Sequence, residues 1–325
     1  YCEVHRFDNN PVRINNGLHW DFLYLYDNLK LGIYKAKKQF GRIDSIGIDT
    51  WAVDYGLVDK KGNLLSNPYH YRDLRTKPSI DEVNKIIPLE TLYEITGIQI
   101  KSFNTIYQLM AEKRERSHIL SIAHSLLFIP DLFAFYLTGE KYNEYTNVTT
   151  SQLFDPRNKN WSDEIIKKLG FDKRLFNQII YPGNIIGYLK KDIQDELEME
   201  KVPLIAVGSH DTASAVAATP FSDGNKTVFL SCGTWSLMGI ELNDILINRS
   251  TYEKNFTNEG GVGGKIRFLK NITGLWIIQQ IKSTWSKKYE EVSYNTISEL
   301  AKSSNYEYAI DPDSDEFVAP VDIID

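Results

Sequence analysis

At 325 residues the chain is longer than one ordinary hydrophobic core, which predicts two domains, and its 42% hydrophobic and 25% charged residues are typical of a folded soluble protein. Its net charge of −6 argues against a large basic surface for nucleic acid, and Pro130 and Asp131 interrupt the nearest approach to a membrane-spanning run, so neither nucleic acid nor membrane is an expected partner. The two cysteines, Cys2 and Cys232, form neither a disulfide framework nor a zinc motif, and they favour a reducing cytoplasm.

In the first part of the chain, predicted strands alternate with predicted helices. Alternation predicts a strand over 1–7, and helical spacing of apolar residues predicts an amphipathic helix over 20–40 that ends at Gly41. Strands are expected at 43–48 and 55–58. Helical segments follow at 89–96, 105–116, 117–137 and from Ser162, as N-cap, to Gly170.

The stretch 202–218 has the pattern of a strand, a turn and a helix. An apolar strand is predicted over 203–207, His210 and Asp211 lie in the turn, and a small-residue helix follows over 212–218. A turn at 220–224 marks the expected domain boundary. Strands at 226–231 and 235–240, a glycine loop at 260–264, an alternating stretch at 265–269 and a helix at 273–285 follow it.

Asp211 has two interpretations. An Asp followed by Thr212 and small residues is typical of a helix N-cap, and the local pattern alone favours that structural role. The end of a strand is also the place where open α/β sheets bind ligands. Asp211 is therefore at the same time a candidate catalytic carboxylate.

The turn at 49–54 carries carboxylates, a hydroxyl and an indole. Such groups suit a polyol, because carboxylates accept bonds from sugar hydroxyls and an aromatic ring covers C–H edges. The alternative is a plain bend in which Trp51 enters the core and Asp49 accepts local turn bonds.

Other polar positions have equally open interpretations. The turn at Gly233 and Thr234 either wraps a phosphate with backbone N–H groups or is an ordinary hairpin turn. The loop at 260–264 either lets a ligand approach the backbone or is a surface loop. Gln279 falls inside the last predicted helix, and Asn271 precedes that helix as a candidate cap.

Taken together, these stretches resemble the FGGY family of carbohydrate kinases, in order along nearly the whole chain. Two stretches, SHDTASAV at 209–216 and SCGTWSLMG at 231–239, are specific to the branch of that family that phosphorylates L-rhamnulose. The resemblance is carried by 43–51, 71–73, 144–147, 208–216, 233–239, 257–261 and 269–272.

The resemblance implies an α/β fold of the actin-like, ribonuclease-H-like two-domain kinase type, with the active site in the cleft between the domains. It also implies that a small-molecule ketose, L-rhamnulose, is phosphorylated on its C1 hydroxyl, with ATP and Mg²⁺ as cofactors. Another ketose or polyol, such as fuculose or xylulose, is the alternative substrate. A non-catalytic sugar-binding fragment is the alternative from outside the kinase class.

The resemblance also assigns roles to individual residues. Asp211 matches the family's general base, and no residue is assigned to a metal. Sugar contacts are expected from Trp51, Ala52, Asp54, His210 and Asn271, and ATP contacts from Thr234 and Gln279. Ala52 stands where the relatives have Gly, so its methyl group alters a close backbone contact.

Two family features have no counterpart in the sequence. The family begins with a strand and a D-x-G-x-S/T-x-x-R phosphate loop upstream of what is here Tyr1, and it continues past Asp325 to a glycine-rich adenine-binding stretch. The chain is therefore expected to be truncated at both ends. Residues 1–220 would form a sugar-binding domain without its first strand and phosphate loop, and 221–325 the start of a nucleotide-binding domain.

Overall fold

The computed structural model describes residues 1–221, 227–289, 292–311, 314 and 317. The chain divides into two compact units. The first contains Tyr1–Pro220 and Glu241–Phe268, and the second contains Phe221–Ile240 and Leu269–Asp325. The chain thus leaves the first unit after Pro220, returns to it after Ile240 and leaves it again after Phe268. The expected roles of 1–220 and 221–325 as sugar-binding and nucleotide-binding domains stay predictions.

The first unit is a mixed α/β structure. Its strands are β1 (Val12–Ile14), β2 (Gly17–His19), β3 (Tyr55–Val58), β4 (Ser125–Phe128), β5 (Asn143–Glu144), β6 (Phe154–Asp155), β7 (Asn160–Trp161), β8 (Ile179–Ile180), β9 (Ile185–Tyr188), β10 (Pro203–Ile205) and β13 (Thr257–Gly260). Its helices are α1 (Phe22–Phe40), α2 (Ser79–Ile86), α3 (Leu89–Thr96), α4 (Thr105–Glu115), α5 (Ser117–Ile122), α6 (Ile129–Thr138), α7 (Tyr145–Thr150), α8 (Asp163–Lys168), α9 (Lys191–Glu196), α10 (Asp211–Ala217) and α11 (Arg249–Glu253).

The second unit contains a hairpin followed by helices. Strand β11 (Phe229–Cys232) pairs antiparallel with β12 (Trp235–Leu242), with Cys232 opposite Ser236. Strand β14 (Ile266–Thr273) begins in the first unit, where β13 is its neighbour, and ends in the second. Helices α12 (Trp276–Lys288) and α13 (Tyr294–Ser303) follow. The predicted strand at 226–231 begins at Lys226, which lies outside the described residues.

The core of the first unit forms around β3 and β4. These strands pair antiparallel, with Tyr55 opposite Phe128, and every residue of both is buried. Helix α4 packs beside them with Ile106 and Leu109, which are fully buried. A second cluster joins α6, α9 and β10, and it includes Leu137 and Leu204, both at 0% exposure. Strand β10 is therefore anchored on a packed apolar layer.

Local signals at element ends are confirmed. Helix α1 begins after Asp21, whose side chain accepts the Tyr24 N–H, and it ends at Gly41 with a φ of 78°. Ser162 caps α8 through the N–H of Ile165. Such signals are short in range, because the capping side chain and its acceptor or donor lie within one turn.

Three predicted elements are wrong in this structure. No strand forms over 1–7, and the segment 43–48 makes only an isolated parallel bridge, between Ile46 and Leu204. Within 117–137, residues Ser125–Phe128 form strand β4 and separate α5 from α6. A short apolar run fits a buried helix and a buried strand equally well by its periodicity, and here pairing with β3 decides.

Candidate active site

Asp211 is separated from the end of β10 at Ile205 by a short loop, and it is the first residue of α10. The loop before it runs parallel to the segment around Thr50. The Thr50 N–H donates to the Ser209 carbonyl at 2.9 Å, and the Asp211 N–H donates to the Thr50 carbonyl at 2.8 Å. Thr50 and His210 therefore form an isolated parallel bridge. The Asp211 side chain is 56% exposed, so its carboxylate is accessible at the position where α/β sheets bind ligands.

Asp211 is the first residue of α10, and its carboxylate is hydrogen-bonded to Thr212. His210 occupies the N-cap position without a side-chain capping bond, so the N-cap interpretation of Asp211 is wrong. The Asp211 carboxylate instead accepts the N–H of Thr212 at 2.6 Å and its hydroxyl at 3.2 Å. Desolvation by the surrounding protein raises the pKa of Asp211, Asp49 adds to this, and Thr212 and Arg267 oppose it. A carboxylate with a raised pKa is a stronger base.

His210 is held by a buried ion pair. Arg267 on β14 is completely buried, and its Nε donates to the Gly260 carbonyl at 3.0 Å. Its Nη2 lies 3.1 Å from His210 Nδ1 and 3.2 Å from Glu259 Oε2. Burial lowers the pKa of His210 well below its ordinary value, and the Arg267 charge acts in the same direction. His210 is therefore a neutral imidazole beside Asp211.

Glu144 fixes the backbone that leads into His210. Its Oε2 accepts the N–H groups of Thr146 and Ser209 at 3.0 and 3.1 Å, and it also accepts both hydroxyls. The Asn147 amide donates to the Ser209 hydroxyl at 2.8 Å, and the His210 N–H donates to the Thr146 hydroxyl at 3.1 Å. Burial raises the pKa of Glu144, and the hydrogen bonds that Glu144 accepts from Ser209 and Thr146 oppose the rise. This buried cluster sets the position of the loop at 209–211.

Asp54 is the centre of a second buried cluster. Its Oδ2 accepts the indole N–H of Trp20 at 2.6 Å, that of Trp51 at 3.0 Å and the backbone N–H of Tyr71 at 3.1 Å. Its Oδ1 accepts the Gln108 amide at 2.8 Å. Burial raises the pKa of Asp54 to about 7, and these four donors oppose the rise. Because Asp54 is 0% exposed, it orients Trp51 rather than presenting a surface to a ligand.

The backbone between Trp51 and Asp54 is strained. Val53 has a φ of 66°, in the left-handed region that β-branched residues avoid. The Thr105 hydroxyl holds this conformation by donating to the Val53 carbonyl at 2.8 Å. Ala52 lies in the same turn, and its carbonyl accepts the Asp54 N–H at 2.9 Å. Surrounding contacts thus hold the turn in one unusual shape.

Aromatic rings line the same turn. The Trp20 ring lies 4.1 Å from that of Trp51 and 4.2 Å from that of His70, and His70 stacks on Tyr71 at 4.5 Å, between ring centroids. Burial lowers the pKa of His70 to about 3, so this ring is neutral. Apolar faces beside fixed polar groups are the surface that a sugar requires.

The second unit holds the other predicted residues. Thr234 lies in the turn between β11 and β12, and its carbonyl accepts the Trp276 N–H at 3.2 Å. Gln279 lies in the first turn of α12, which starts at Trp276. Asn271 is inside β14, so its interpretation as a helix cap is wrong. Thr234 and Gln279 are thus on adjoining elements of one unit.

The structure places the predicted site residues in two groups. Trp51, Ala52, Asp54, His210 and Asp211 belong to the first unit, and Thr234, Asn271 and Gln279 belong to the second. Sequence reasoning assigned no site role to Trp20, Gln108, Glu259 and Arg267, although Glu259 lies in the stretch 257–261 that carries the resemblance. A signal existed for Arg267, because it is a single charge between Ile266 and the apolar pair Phe268-Leu269.

Among the described residues, no group of three or more His, Cys, Asp and Glu side chains is arranged to hold a metal ion. Within the same part of the chain, no helix has both the length and the apolar character needed to span a bilayer.

Comparison with known proteins shows the protein family to which the chain belongs. The model of the N-terminal domain of the FGGY family of carbohydrate kinases matches residues 20–218, and that of its C-terminal domain matches 228–325. The chain belongs to the FGGY family of carbohydrate kinases. The resemblance expected from the sequence motifs is confirmed.

Several curated relatives of the chain within this family are rhamnulokinases. Rhamnulokinase of Oceanobacillus iheyensis is 40% identical over 323 residues, which cover 99% of this chain and 67% of that protein. Rhamnulokinases of Halalkalibacterium halodurans and Enterococcus faecalis are also 40% identical, again over 99% of this chain and over 68% and 64% of their own lengths. The chain spans about two thirds of the length of these relatives.

Solved structures confirm the fold. Ligand-bound xylulose kinase from Lactobacillus acidophilus matches with a TM-score of 0.79 at 15% identity, over 92% of this chain and 60% of that one. Plasmodium falciparum glycerol kinase with ADP matches with a TM-score of 0.76 at 14% identity, over 92% of this chain and 61% of its own. The actin-like, ribonuclease-H-like α/β kinase fold is therefore confirmed.

Proposed function

We propose that the protein phosphorylates L-rhamnulose on its C1 hydroxyl, with ATP as phosphoryl donor, and releases L-rhamnulose 1-phosphate. The observation that supports this most directly is the 40% identity to curated rhamnulokinases over 99% of the chain. The expected cytoplasmic location belongs to the same proposal.

Asp211 is proposed as the general base. Its exposed carboxylate, next to a neutral His210, accepts the proton of the C1 hydroxyl as the oxygen–phosphorus bond forms. Phosphoryl transfer to an alcohol depends on positioning and charge stabilisation more than on covalent chemistry, so one well-placed carboxylate suffices. The raised pKa of Asp211 strengthens it as an acceptor.

Sugar binding is proposed for the turn at 51–54 together with His210 and Asn271. Trp51 offers a half-buried aromatic face, and Ala52 lies beside it in the strained turn. Asp54 has four protein donors and no exposed surface, so its proposed contribution to sugar binding is to hold Trp51. His210 contributes a ring nitrogen 3.6 Å from the Asp211 carboxylate.

Nucleotide binding is proposed for Thr234 and Gln279. A hydroxyl and a carboxamide on adjoining elements of the second unit are polar groups that suit a nucleotide, and in this respect the residues fit ATP. Bound ATP with Mg²⁺ supplies the phosphoryl group and neutralises its charge. The residues of this chain contribute the acceptor for the proton and the groups that orient the ketose.

A coupled assay on the whole protein tests the proposal. ATP consumption is measured with L-rhamnulose, fuculose and xylulose, and we expect the highest kcat/KM for L-rhamnulose. If fuculose or xylulose gives a higher kcat/KM than L-rhamnulose, that ketose is the substrate instead. Ketose binding by calorimetry without any ATP consumption would instead support a non-catalytic sugar-binding protein.

A further inference from the structure

Arg267 is the largest fully buried side chain described in the structure. Its guanidinium contacts three groups: the Gly260 carbonyl through Nε at 3.0 Å, and His210 Nδ1 and Glu259 Oε2 through Nη2 at 3.1 and 3.2 Å. Burial of such a charge is costly unless it is paired and hydrogen-bonded. Glu259 supplies the opposite charge, and Nε and Nη2 are hydrogen-bonded, whereas Nη1 has no hydrogen-bond partner among the described residues. The arrangement therefore stabilises one position of the guanidinium against the imidazole.

The contact between Arg267 and His210 determines where the imidazole carries its proton. A guanidinium has only donor groups, so Nη2 must donate and His210 Nδ1 must accept. A neutral imidazole has one protonated nitrogen, and with Nδ1 as acceptor the proton is on Nε2. The distance of 3.1 Å is within the hydrogen-bond range.

Glu259 is the group that could favour the other tautomer. Its Oε2 would accept a proton from Nδ1, but it lies 3.6 Å from that nitrogen, against 3.1 Å for Arg267 Nη2. A separation of 3.6 Å is too long for a hydrogen bond. The Glu259 carboxylate lies closer to the guanidinium, at 3.2 Å, so it acts as the counter-ion of Arg267.

We propose that Arg267 is a positioning residue that fixes His210 as an Nε2–H donor directed toward the ketose site at Asp211. The inference rests on the proposed function, since it gives His210 its role in binding the sugar. His210 Nε2 lies 3.6 Å from Asp211 Oδ1, so one substrate oxygen placed beside this pair can accept a hydrogen bond from Nε2–H and donate its proton to the carboxylate. Asp211 then accepts a proton while His210 holds the ketose in place.

The charged groups that face His210 act on its pKa in opposite directions. Arg267 adds a positive charge, Glu259 and Asp211 add negative ones, and the Thr146 hydroxyl accepts the His210 backbone N–H. Burial is the main reason for the low pKa of His210, and Arg267 is the second. The ring is therefore neutral through the range in which free imidazole titrates, near pH 6.5.

Long-range ¹⁵N–¹H correlation spectra of the histidine-labelled chain test the tautomer directly. The chain has 6 histidines, and the His210 signals are assigned by their loss in His210→Gln. We expect a protonated Nε2 and an unprotonated Nδ1 at every pH from about 5 to 8. A protonated Nδ1, or a His210 that becomes doubly protonated near pH 6.5, would overturn the inference.

The double variant Arg267→Met with Glu259→Gln tests the part played by Arg267. It removes both members of the pair and so leaves no isolated buried charge. We expect His210 to lose its single tautomer and its pKa to rise. An unchanged Nε2–H tautomer in a folded double variant would refute the positioning role. If the variant does not fold, the wild-type spectra still decide the tautomer.

The matched control is a second buried pair in the same unit. Arg75 Nη1 lies 2.7 Å from Glu112 Oε2, and their side chains are 7% and 1% exposed. Arg75→Met with Glu112→Gln removes similar groups away from His210, and the His210 spectrum should stay unchanged. A similar spectral change in this control would show that the effect is a general loss of packing and would overturn the assignment to Arg267.

Calorimetry with L-rhamnulose separates this inference from the proposed function. We expect the ketose to bind about tenfold more weakly to the Arg267→Met, Glu259→Gln variant than to the wild type, because one hydrogen-bond donor is no longer fixed. A wild-type chain that binds no ketose would contradict the proposed function. A His210 protonated on Nδ1 would overturn the present inference whatever the chain binds.

Discussion

The backbone N–H of Asp211 donates to the carbonyl oxygen of Thr50 at 2.8 Å. This bond joins the first residue of α10 to the segment that leads into Trp51. Asp211, the proposed base, and the turn at 51–54, the proposed sugar site, therefore each follow one side of the backbone pairing between Thr50 and His210. The pairing involves only main-chain atoms. A substitution of the Asp211 side chain can therefore change the chemistry and leave the position of the loop intact.

Asp211→Asn should remove catalysis and keep sugar binding. Asn preserves the shape of the side chain and an oxygen for the Thr212 N–H, but it cannot accept the substrate proton. We expect kcat to fall about 10²–10⁴-fold, the usual contribution of a general base, with ketose affinity little changed. A coupled ATP assay and calorimetry on the whole protein measure the two quantities.

The matched control for this prediction is Asp44→Asn. The Asp44 side chain is 74% exposed and pairs with Arg42 at the surface. Its substitution should leave both kcat and ketose affinity unchanged. Near-wild-type turnover of Asp211→Asn would remove Asp211 from the role of base.

Asp54 should make the first unit less stable as the pH rises. Burial raises its pKa in the folded protein to about 7, from 3.8 in the unfolded chain. Between these values the folded state binds more protons, so the contribution is fully present below pH 3.8 and is lost as the pH rises through about 7. This difference in pKa corresponds to about 4 kcal/mol in the free energy of unfolding, at about 1.4 kcal/mol for each pKa unit.

Asp54→Asn tests this pH dependence. The variant has no titrating group there, and its oxygen can still accept the indole N–H groups of Trp20 and Trp51. We expect the decline of the free energy of unfolding between pH 4 and 7 to become shallower than in the wild type. Urea unfolding followed by tryptophan fluorescence measures it. An identical decline in the variant would show that Asp54 does not titrate in this range.

Short-range features of the fold could be predicted from the sequence. The end of α1 at Gly41 and the start of α8 after Ser162 depend on residues within one turn of each other. The strand before Gly208 was also predictable, although it ends at Ile205 rather than Val207. The order of strand, turn and helix around Asp211 is confirmed, because an apolar run followed by Gly-Ser requires a turn, but Asp211 is the first residue of the helix rather than part of the turn.

Long-range contacts could not be predicted in the same way. Arg267 and His210 are 57 residues apart, and Asp54 and Gln108 are 54 apart, so no local pattern pairs them. Strand β4 is distinguished from a helix only by its partner β3. Tertiary pairing therefore determined both the buried clusters and the errors in the predicted elements.

Ser209→Ala should destabilise the cluster around Glu144. The Ser209 hydroxyl donates to Glu144 at 2.6 Å and accepts from the Asn147 amide at 2.8 Å. Its loss leaves the buried amide without this acceptor, which costs about 1–3 kcal/mol. Urea unfolding followed by circular dichroism gives the change in the free energy of unfolding.

Ser121→Ala is the control for the same chemical change at an exposed site. Its hydroxyl donates to the His118 carbonyl at 2.7 Å on the surface. Water replaces that bond, so the free energy of unfolding should change by less than about 0.5 kcal/mol. Equal losses in the two variants would show that the buried position of Ser209 contributes nothing.

Gly260→Ala should destabilise the first unit through a steric clash. A Cβ at Gly260 would lie 2.4 Å from Tyr145 Cε1 and 2.7 Å from its Cζ, a contact that forces the ring or the strand to shift. Overpacking of this kind costs about 1–3 kcal/mol.

Gly32→Ala is the matched control. Its Cβ would come no closer than 3.7 Å to His5, and because Gly32 lies in the interior of α1 the substitution should stabilise the protein by about 0.5–1 kcal/mol. Chemical unfolding of both variants should therefore give shifts of opposite sign, and a Gly260→Ala protein as stable as the wild type would contradict the close packing of β13 on Tyr145.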